Sequence, residues 1–376
     1  MDAMITVNIG LFIIFCLVLT LPFKVRKVEE NLEVFLFTCG ILALTVAGFA
    51  EIEGETFGWT VAIIEEALRA PLMITTLFGI PVGIVQIVLL VGLVIHFWHR
   101  PIQQGIQWLV SRFSLTALVF AIIVVPGLVS SIISAILAAI ILVELVCALP
   151  INRGGKVTVT VISCFSIGLG AALTPLGEPL STIAVAKLAG PPYYAGFGYL
   201  AGLLGLYVVP GIIALGIVGV VLFRRSGLPQ TSLACHLQAD SLREVVIRAA
   251  KVYLFIMALV FLGEGFKPLI VQYIIRIPSE GLYWVNMVSA VLDNATLAAA
   301  EIGPLLTEQQ IKSALMGLLI AGGMLIPGNI PNIISAGKIG ITSREWARIG
   351  VPIGAAMLLV YFILLFVPAY IGGISG

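Results

Sequence analysis

Apolar runs of about the length a helix needs to cross a bilayer recur from one end of the chain to the other, separated by short charged clusters. Residues 5–22 and 33–50 are the first two, and further runs at 59–80, 82–98, 113–127, 193–222, 246–277 and 351–370 predict more spans. Asp2 precedes the first run, and Lys24, Arg26 and Lys27 follow it, which predicts a retained helix, not a cleaved leader. Its N-terminus is expected outside and its basic end in the cytoplasm. Glu51, Glu53 and Glu55 then form an outer acidic loop. Within the expected span from Trp59 to Ile80, Glu66 and Arg69 lie one helical turn apart and are expected to pair.

Two segments interrupt this pattern. The apolar helix after Asn152-Arg153 meets Thr174-Pro175-Leu176-Gly177-Glu178-Pro179-Leu180-Ser181, and a later one meets Ile326-Pro327-Gly328-Asn329-Ile330-Pro331-Asn332. Proline removes a helix donor and clashes with the preceding turn, so both segments predict discontinuous helices, over 157–190 and 309–341. Broken helices at membrane depth are tolerated where the freed backbone is buried in protein or lines a cavity.

Residues 128–150, before the first break, predict either another crossing or a re-entrant hairpin, and about 281–306 is the corresponding segment before the second. Ser134-Ala-Ile-Leu matches Ser289-Ala-Val-Leu, Pro175 matches Pro327, and Pro179 matches Pro331. Upstream, Glu66-Ala-Leu-Arg69-Ala-Pro71 resembles Glu264-Gly-Phe-Lys267-Pro268. Three blocks in one order predict an internal repeat, and counting crossings makes the copies inverted. The expected organisation is an N-terminal transmembrane helix (1–32), a first inverted repeat (33–192) and a second (193–376). The fold class is an all-α polytopic membrane protein of about 10 transmembrane helices plus the two hairpins.

Composition agrees: of 376 residues, 60% are hydrophobic and 10% charged, with a net charge of +1. That balance, with no basic tract, argues against nucleic acid as a partner. The five cysteines show no paired spacing and read as small core residues. Neither a His-Glu-x-x-His pattern nor a Gly-x-x-x-x-Gly-Lys loop occurs, so neither an enzyme nor a nucleotide-driven pump is expected, and no cofactor.

A carboxylate inside a membrane costs several kcal/mol and is usually paired, wet or binding something. Asp293, beside Asn294, is the first candidate, and Glu178 the second. A dehydrated sodium ion needs several oxygen ligands, which a broken helix supplies as carbonyls, supplemented by Asn and Thr. The carboxylate adds charge and exchanges the ion for a proton. Plainer roles remain open at this point: Glu178 caps the helix resuming at Pro179, and Asn329 and Asn332 are turn residues.

The runs Ser289-Ala-Val-Leu-Asp293-Asn294-Ala-Thr296, Gly328-Asn329-Ile-Pro331-Asn332 and Gly170-Ala-Ala-Leu-Thr174-Pro175-Leu-Gly177-Glu178-Pro179 resemble signatures of the ion transporter superfamily. The likeness is nearest to the NhaD-type sodium/proton antiporters and to a family of predicted cation transporters, within a group that includes ArsB-like arsenite carriers. It covers most of the chain from about residue 33. The resemblance implies two opposed hairpins and two breaks meeting at a midplane site, with Asp293, Asn294, Thr296, Asn329 and Asn332 from the second repeat and Ser134, Thr174, Gly177, Glu178 and Ser181 from the first. Na+ at Asp293, Asn294 and Asn329 is the implied ion site. Ala138 and Ala139 stand after Ser134 where many relatives carry a polar tip, which shifts weight to the second unit.

The expectation is a multi-pass protein of the cytoplasmic membrane that exchanges a monovalent cation for protons by alternating access, as a homodimer. The alternative is sodium-coupled transport of a small carboxylate or oxyanion, for which Lys187 and Lys338 are the available cations.

Overall fold

The computed structural model describes residues 2–25, 27–28, 31–52, 54–73, 75–77, 80–82, 85–86, 89–90, 93, 112–226, 242–269, 272, 277–292, 294–304 and 306–374. Its first helices are α1 (Asp2–Lys24), α2 (Leu32–Ala47) and α3 (Val61–Arg69). Then come α4 (Leu115–Ile133), α5 (Ala135–Ala148), α6 (Arg153–Ala171), α7 (Pro179–Lys187), α8 (Tyr199–Ser226) and α9 (Leu242–Leu269). The remainder are α10 (Ser279–Val285), α11 (Asn294–Glu301), α12 (Glu308–Gly322), α13 (Ile330–Ile339) and α14 (Ser343–Ile374), with short 3-10 turns at Asn286–Ala290 and Ile326–Gly328. Among the described residues, six helices are long and apolar enough to cross a membrane: Met4–Pro22, Leu115–Ile133, Arg153–Ala171, Tyr199–Arg225, Val245–Leu269 and Ser343–Val367. The chain is thus a helical, multi-pass membrane protein.

One expected span is not a single helix. Between Trp59 and Ile80, α3 stops at Arg69, and the chain enters a small antiparallel ladder, β3 (Thr75–Leu77) with β4 (Ile80–Val82), preceded by β1 (Glu51–Ile52) with β2 (Glu55–Thr56). Pro71 cannot supply the donor that another turn of α3 would need, and β-branched Thr75, Thr76, Ile80 and Val82 favour the extended form. Arg69 pairs with Glu65, four residues before it, in place of the expected Glu66. Most of the span expected at 82–98, and the connector after it, lie outside the described residues.

The chain folds as two compact units. The first takes Met1–Phe97, Asp240–Ile277 and Val291–Glu301. Its core is α2 against α9, where a Cβ on Gly40 would stand 2.8 Å from Phe261 Cβ and one on Gly265 2.7 Å from Ala43 Cβ. Glycine at both contacts lets the backbones close up, as small residues do between membrane helices. Leu44, Ala67 and Phe261 fill the centre, and Lys251 pairs with Glu33 at 2.8 Å.

The second unit takes Trp98–Ala239, Pro278–Ala290 and Ile302–Gly376, and is built round α6. Asn152 caps that helix, its Oδ1 accepting from Gly155 N at 2.7 Å, and every residue from Gly155 to Ala171 is buried. α4 lies against it along a seam of small residues. Pro126 cannot donate to the Ile122 carbonyl one turn back, and Ser163 Oγ of α6 takes that acceptor at 3.5 Å. A Cβ on Gly170 would stand 1.7 Å from the Gly127 carbonyl oxygen, so only glycine allows this approach.

Around this pair, Tyr361 of α14 donates to the Tyr207 carbonyl of α8 at 2.8 Å, and Tyr283 of α10 donates to Leu358 O of α14 at 2.8 Å. Gly350 and Gly354 of α14 leave the space that Met324 fills.

Candidate functional site

In the second unit, two helices stop and restart across equal intervals, 172–178 between α6 and α7 and 323–329 between α12 and α13. Each break strands carbonyls that would otherwise accept from a later turn, and buried carbonyls need partners.

In the first break, Ser181 Oγ donates to Ala171 O, ten residues back, at 3.1 Å. Thr182 Oγ1 donates to Pro175 O at 2.6 Å, and Thr174 Oγ1 donates to Ser131 O of α4. Gly177 O accepts from Ala135 N at 2.8 Å, joining the break to the turn between α4 and α5. Ser134 makes that turn with φ 76° and ψ 150°, unusual for any residue but glycine, and its Oγ accepts from Leu137 N at 3.5 Å to open α5. α4 thus runs from Leu115 to Ile133, past the boundary expected at residue 127, and turns at Ser134 into α5, which holds Ala138 and Ala139. Glu178 follows Gly177 directly and is buried.

The second break closes in the same way. Asn332 Nδ2 donates to Gly322 O, also ten residues back, at 2.7 Å and to Leu325 O at 2.9 Å. Trp346 Nε1 donates to Gly323 O at 3.2 Å, and Ser289 Oγ donates to Leu318 O at 3.2 Å. The glycines correspond too: a Cβ on Gly177 would meet Ala171 O at 1.9 Å, and one on Gly328 would meet Gly322 O at 2.6 Å.

By bonding pattern, then, Gly177 corresponds to Gly328 and Ser181 to Asn332, one residue out of step with the proline match. The prolines are free to slip, because neither of the first two helical positions needs its N–H. Pro179 takes the first of these in α7 and Pro331 the second in α13. A side chain that must reach one particular carbonyl has no such freedom.

Asn329 departs from the plain reading of a helix-opening asparagine. It is the residue before α13, where Asn ordinarily accepts from the first-turn amides, yet its side chain makes no capping bond. It is 3% exposed, and its Nδ2 lies 2.9 Å from the place a Cβ on Gly168 would occupy. One turn earlier on α6, Cys164 Sγ is 3.4 Å from Ser335 Oγ and 3.7 Å from Pro331 O. At the start of α6, Arg153 Nη1 donates to Ile339 O at 3.0 Å, and its Nε and Nη2 form a fork to Glu345 at 3.1 and 3.0 Å. Asn329 at Gly168, Ser335 at Cys164 and Ile339 at Arg153 place α13 antiparallel to α6.

Thr174, Ser181 and the amide nitrogen of Asn332 are thus engaged in closing the breaks. Asn332 Oδ1, on a fully buried side chain, has no hydrogen-bond partner among the described residues. With both Nδ2 hydrogens spent on carbonyls, that oxygen is an acceptor held ready. Asn294 and Thr296 lie in α11, which belongs to the first unit. Asn294 is buried, and its Nδ2 also has no partner among the described residues. Asp293 lies outside the described residues.

Gly168, Cys164 and Arg153 were not among the sequence candidates. A run of small residues, Ser163, Cys164, Ser166, Gly168 and Gly170, inside one apolar helix was the available signal.

A family model described as a protein of unknown function (DUF1646) matches residues 8–368. The chain belongs to the DUF1646 family. The match takes in both breaks, the Ser134 turn and the six candidate spans apart from the first few residues of α1. No curated protein matches this DUF1646 member.

Proposed function

We propose that this DUF1646 protein is a secondary active transporter of a monovalent cation, exchanging sodium for protons by alternating access. The observation that carries the reading is the pair of equally spaced helix breaks, each closed onto its own carbonyls by a side chain ten residues on. Self-closed breaks let a carrier keep irregular backbone inside a bilayer while leaving selected oxygens for an ion. Asn332 Oδ1 and the uncapped Asn329 are two such groups. Asp293 is the carboxylate to which the exchange of cation for proton is assigned, on its sequence alone.

The likeness to NhaD-type antiporters supports the same reading, as does the antiparallel seating of α13 on α6, which suits two inverted repeats of 33–192 and 193–376. A scaffold dimer and a cytoplasmic membrane complete the proposal. No enzymatic step and no cofactor are involved.

Proteoliposomes loaded with a pH-sensitive dye and pulsed with sodium, lithium or potassium test it. Sodium-driven proton movement in the wild type, lost in a folded Asp293→Asn variant, is the expected result. If no cation moves protons in the wild type, antiport is wrong, and the same vesicles under a sodium gradient then report on small carboxylates and oxyanions.

A further inference from the structure

We infer that Gly168 is a positioning residue: the bare backbone of α6 at this point is the seat that holds the Asn329 amide in its uncapped pose. This rests on the reading of Asn329 as an ion ligand. A buried Asn side chain with no capping bond needs something else to fix its direction, because its terminal torsion, χ2, is otherwise broad. Here the restraint is steric. Asn329 Nδ2 lies where a side chain on residue 168 would begin, 2.9 Å from the ideal Cβ site. The amide occupies the notch that the missing methyl leaves.

The rest of the contact keeps the notch in register. Cys164, one turn before Gly168 on the same helix, touches Pro331 O and Ser335 Oγ. That contact joins α13 to α6 one turn from Gly168, so Asn329, the residue before α13, lies beside a seam tied close to it. Helices disfavour glycine by up to about 1 kcal/mol relative to alanine, so Gly168, in the last turn of α6, carries a cost that a seating role offsets.

Gly168→Ala tests the seat, with Gly337→Ala as the control, since a Cβ at Gly337 meets nothing within 4 Å. In the sodium-pulse assay, Gly168→Ala is expected to raise the half-saturating sodium concentration about tenfold while the rate at saturating sodium stays within about twofold. A general packing defect would lower the maximal rate and leave the half-saturation point.

A second measurement needs no transport. In detergent, Gly168→Ala is expected to lower the melting temperature, and adding Asn329→Ala is expected to restore it, because the group the new methyl strikes has gone. Equal melting of Gly168→Ala and wild type, or the same loss with and without Asn329, overturns the seat. A wild type that moves no cation overturns the transport reading instead, and the melting cycle still decides the seat.

Discussion

Asn332 reaches back with its side-chain amide to the carbonyl of Gly322, across the gap where α12 has stopped and before α13 is under way. A second bond to Leu325 O makes this one side chain the closure of the second break. Ser181 and Ala171 do the same at the first break with a single bond.

The two closures therefore differ in strength. Asn332→Ala takes the side-chain donor from Gly322 O and one of two donors from Leu325 O, which keeps Gly328 N at 3.3 Å, and is expected to cost about 2–3 kcal/mol, while Ser181→Ala, with one bond lost, costs about 1–2 kcal/mol. Thermal melts of the purified protein give the order, and a larger loss for Ser181→Ala would contradict the assigned roles.

The glycines of the breaks have no room for a side chain. Gly177→Ala would place a methyl 1.9 Å from Ala171 O, well inside van der Waals contact. A loss above about 3 kcal/mol, seen as failure to recover folded protein after detergent extraction, is expected. Gly337→Ala, at an open position in α13, should instead be neutral or stabilise by up to about 1 kcal/mol.

Ser134 carries a backbone conformation that glycine adopts freely, at φ 76°. Glycine relieves that strain, worth about 1–3 kcal/mol, and serves as a helix N-cap at a cost of only a few tenths. Alanine relieves no strain and loses the cap. Ser134→Gly is expected to melt at or above the wild-type temperature and Ser134→Ala below it. The reverse order would show that the turn is held by something other than its backbone.

Arg153 contacts Glu345 and the carbonyls of Ile339 and Gly340 at once through a planar guanidinium. A lysine keeps the charge but cannot make the fork. Arg153→Lys is expected to melt close to Arg153→Ala, whereas Glu345→Gln, which leaves the two carbonyl bonds intact, should sit nearer the wild type. Full recovery with lysine would reduce the contact to simple charge attraction.

Much of this was legible in the chain. The apolar runs around α1, α2, α4, α8, α9 and α14 showed where helices lie, because transfer into a bilayer depends on composition summed over a long window. Both breaks were visible because proline and glycine act locally, through a missing donor and a missing Cβ. What the sequence left open depends on contacts between distant residues. The Trp59–Ile80 segment has the composition of a span, yet Pro71 and a β-branched stretch turn it into a short helix and a ladder. Nothing local distinguishes an asparagine that caps its helix from Asn329, which does not. The seat at Gly168 appears only when α13 is laid along α6. The proline match, one residue out of step, shows the same limit: prolines are conspicuous in a sequence, but the carbonyls set the register.

The seating of α13 along α6 also constrains the order in which the protein is made. Cys164 is 167 residues from Pro331, and Arg153 is 192 from Glu345. Synthesis runs from the N-terminus, so α6 enters the bilayer long before the segment that covers this face exists. Until then Arg153, Cys164 and Gly168 lack their final neighbours, and the first break is formed without the second. At ten residues α13 spans about 15 Å, half the hydrocarbon thickness, so it gains a stable place only by docking on a face already waiting for it. Nascent chains halted before residue 330 should therefore be the most exposed to membrane quality-control proteases, and completion of α13 should mark the point at which that sensitivity ends.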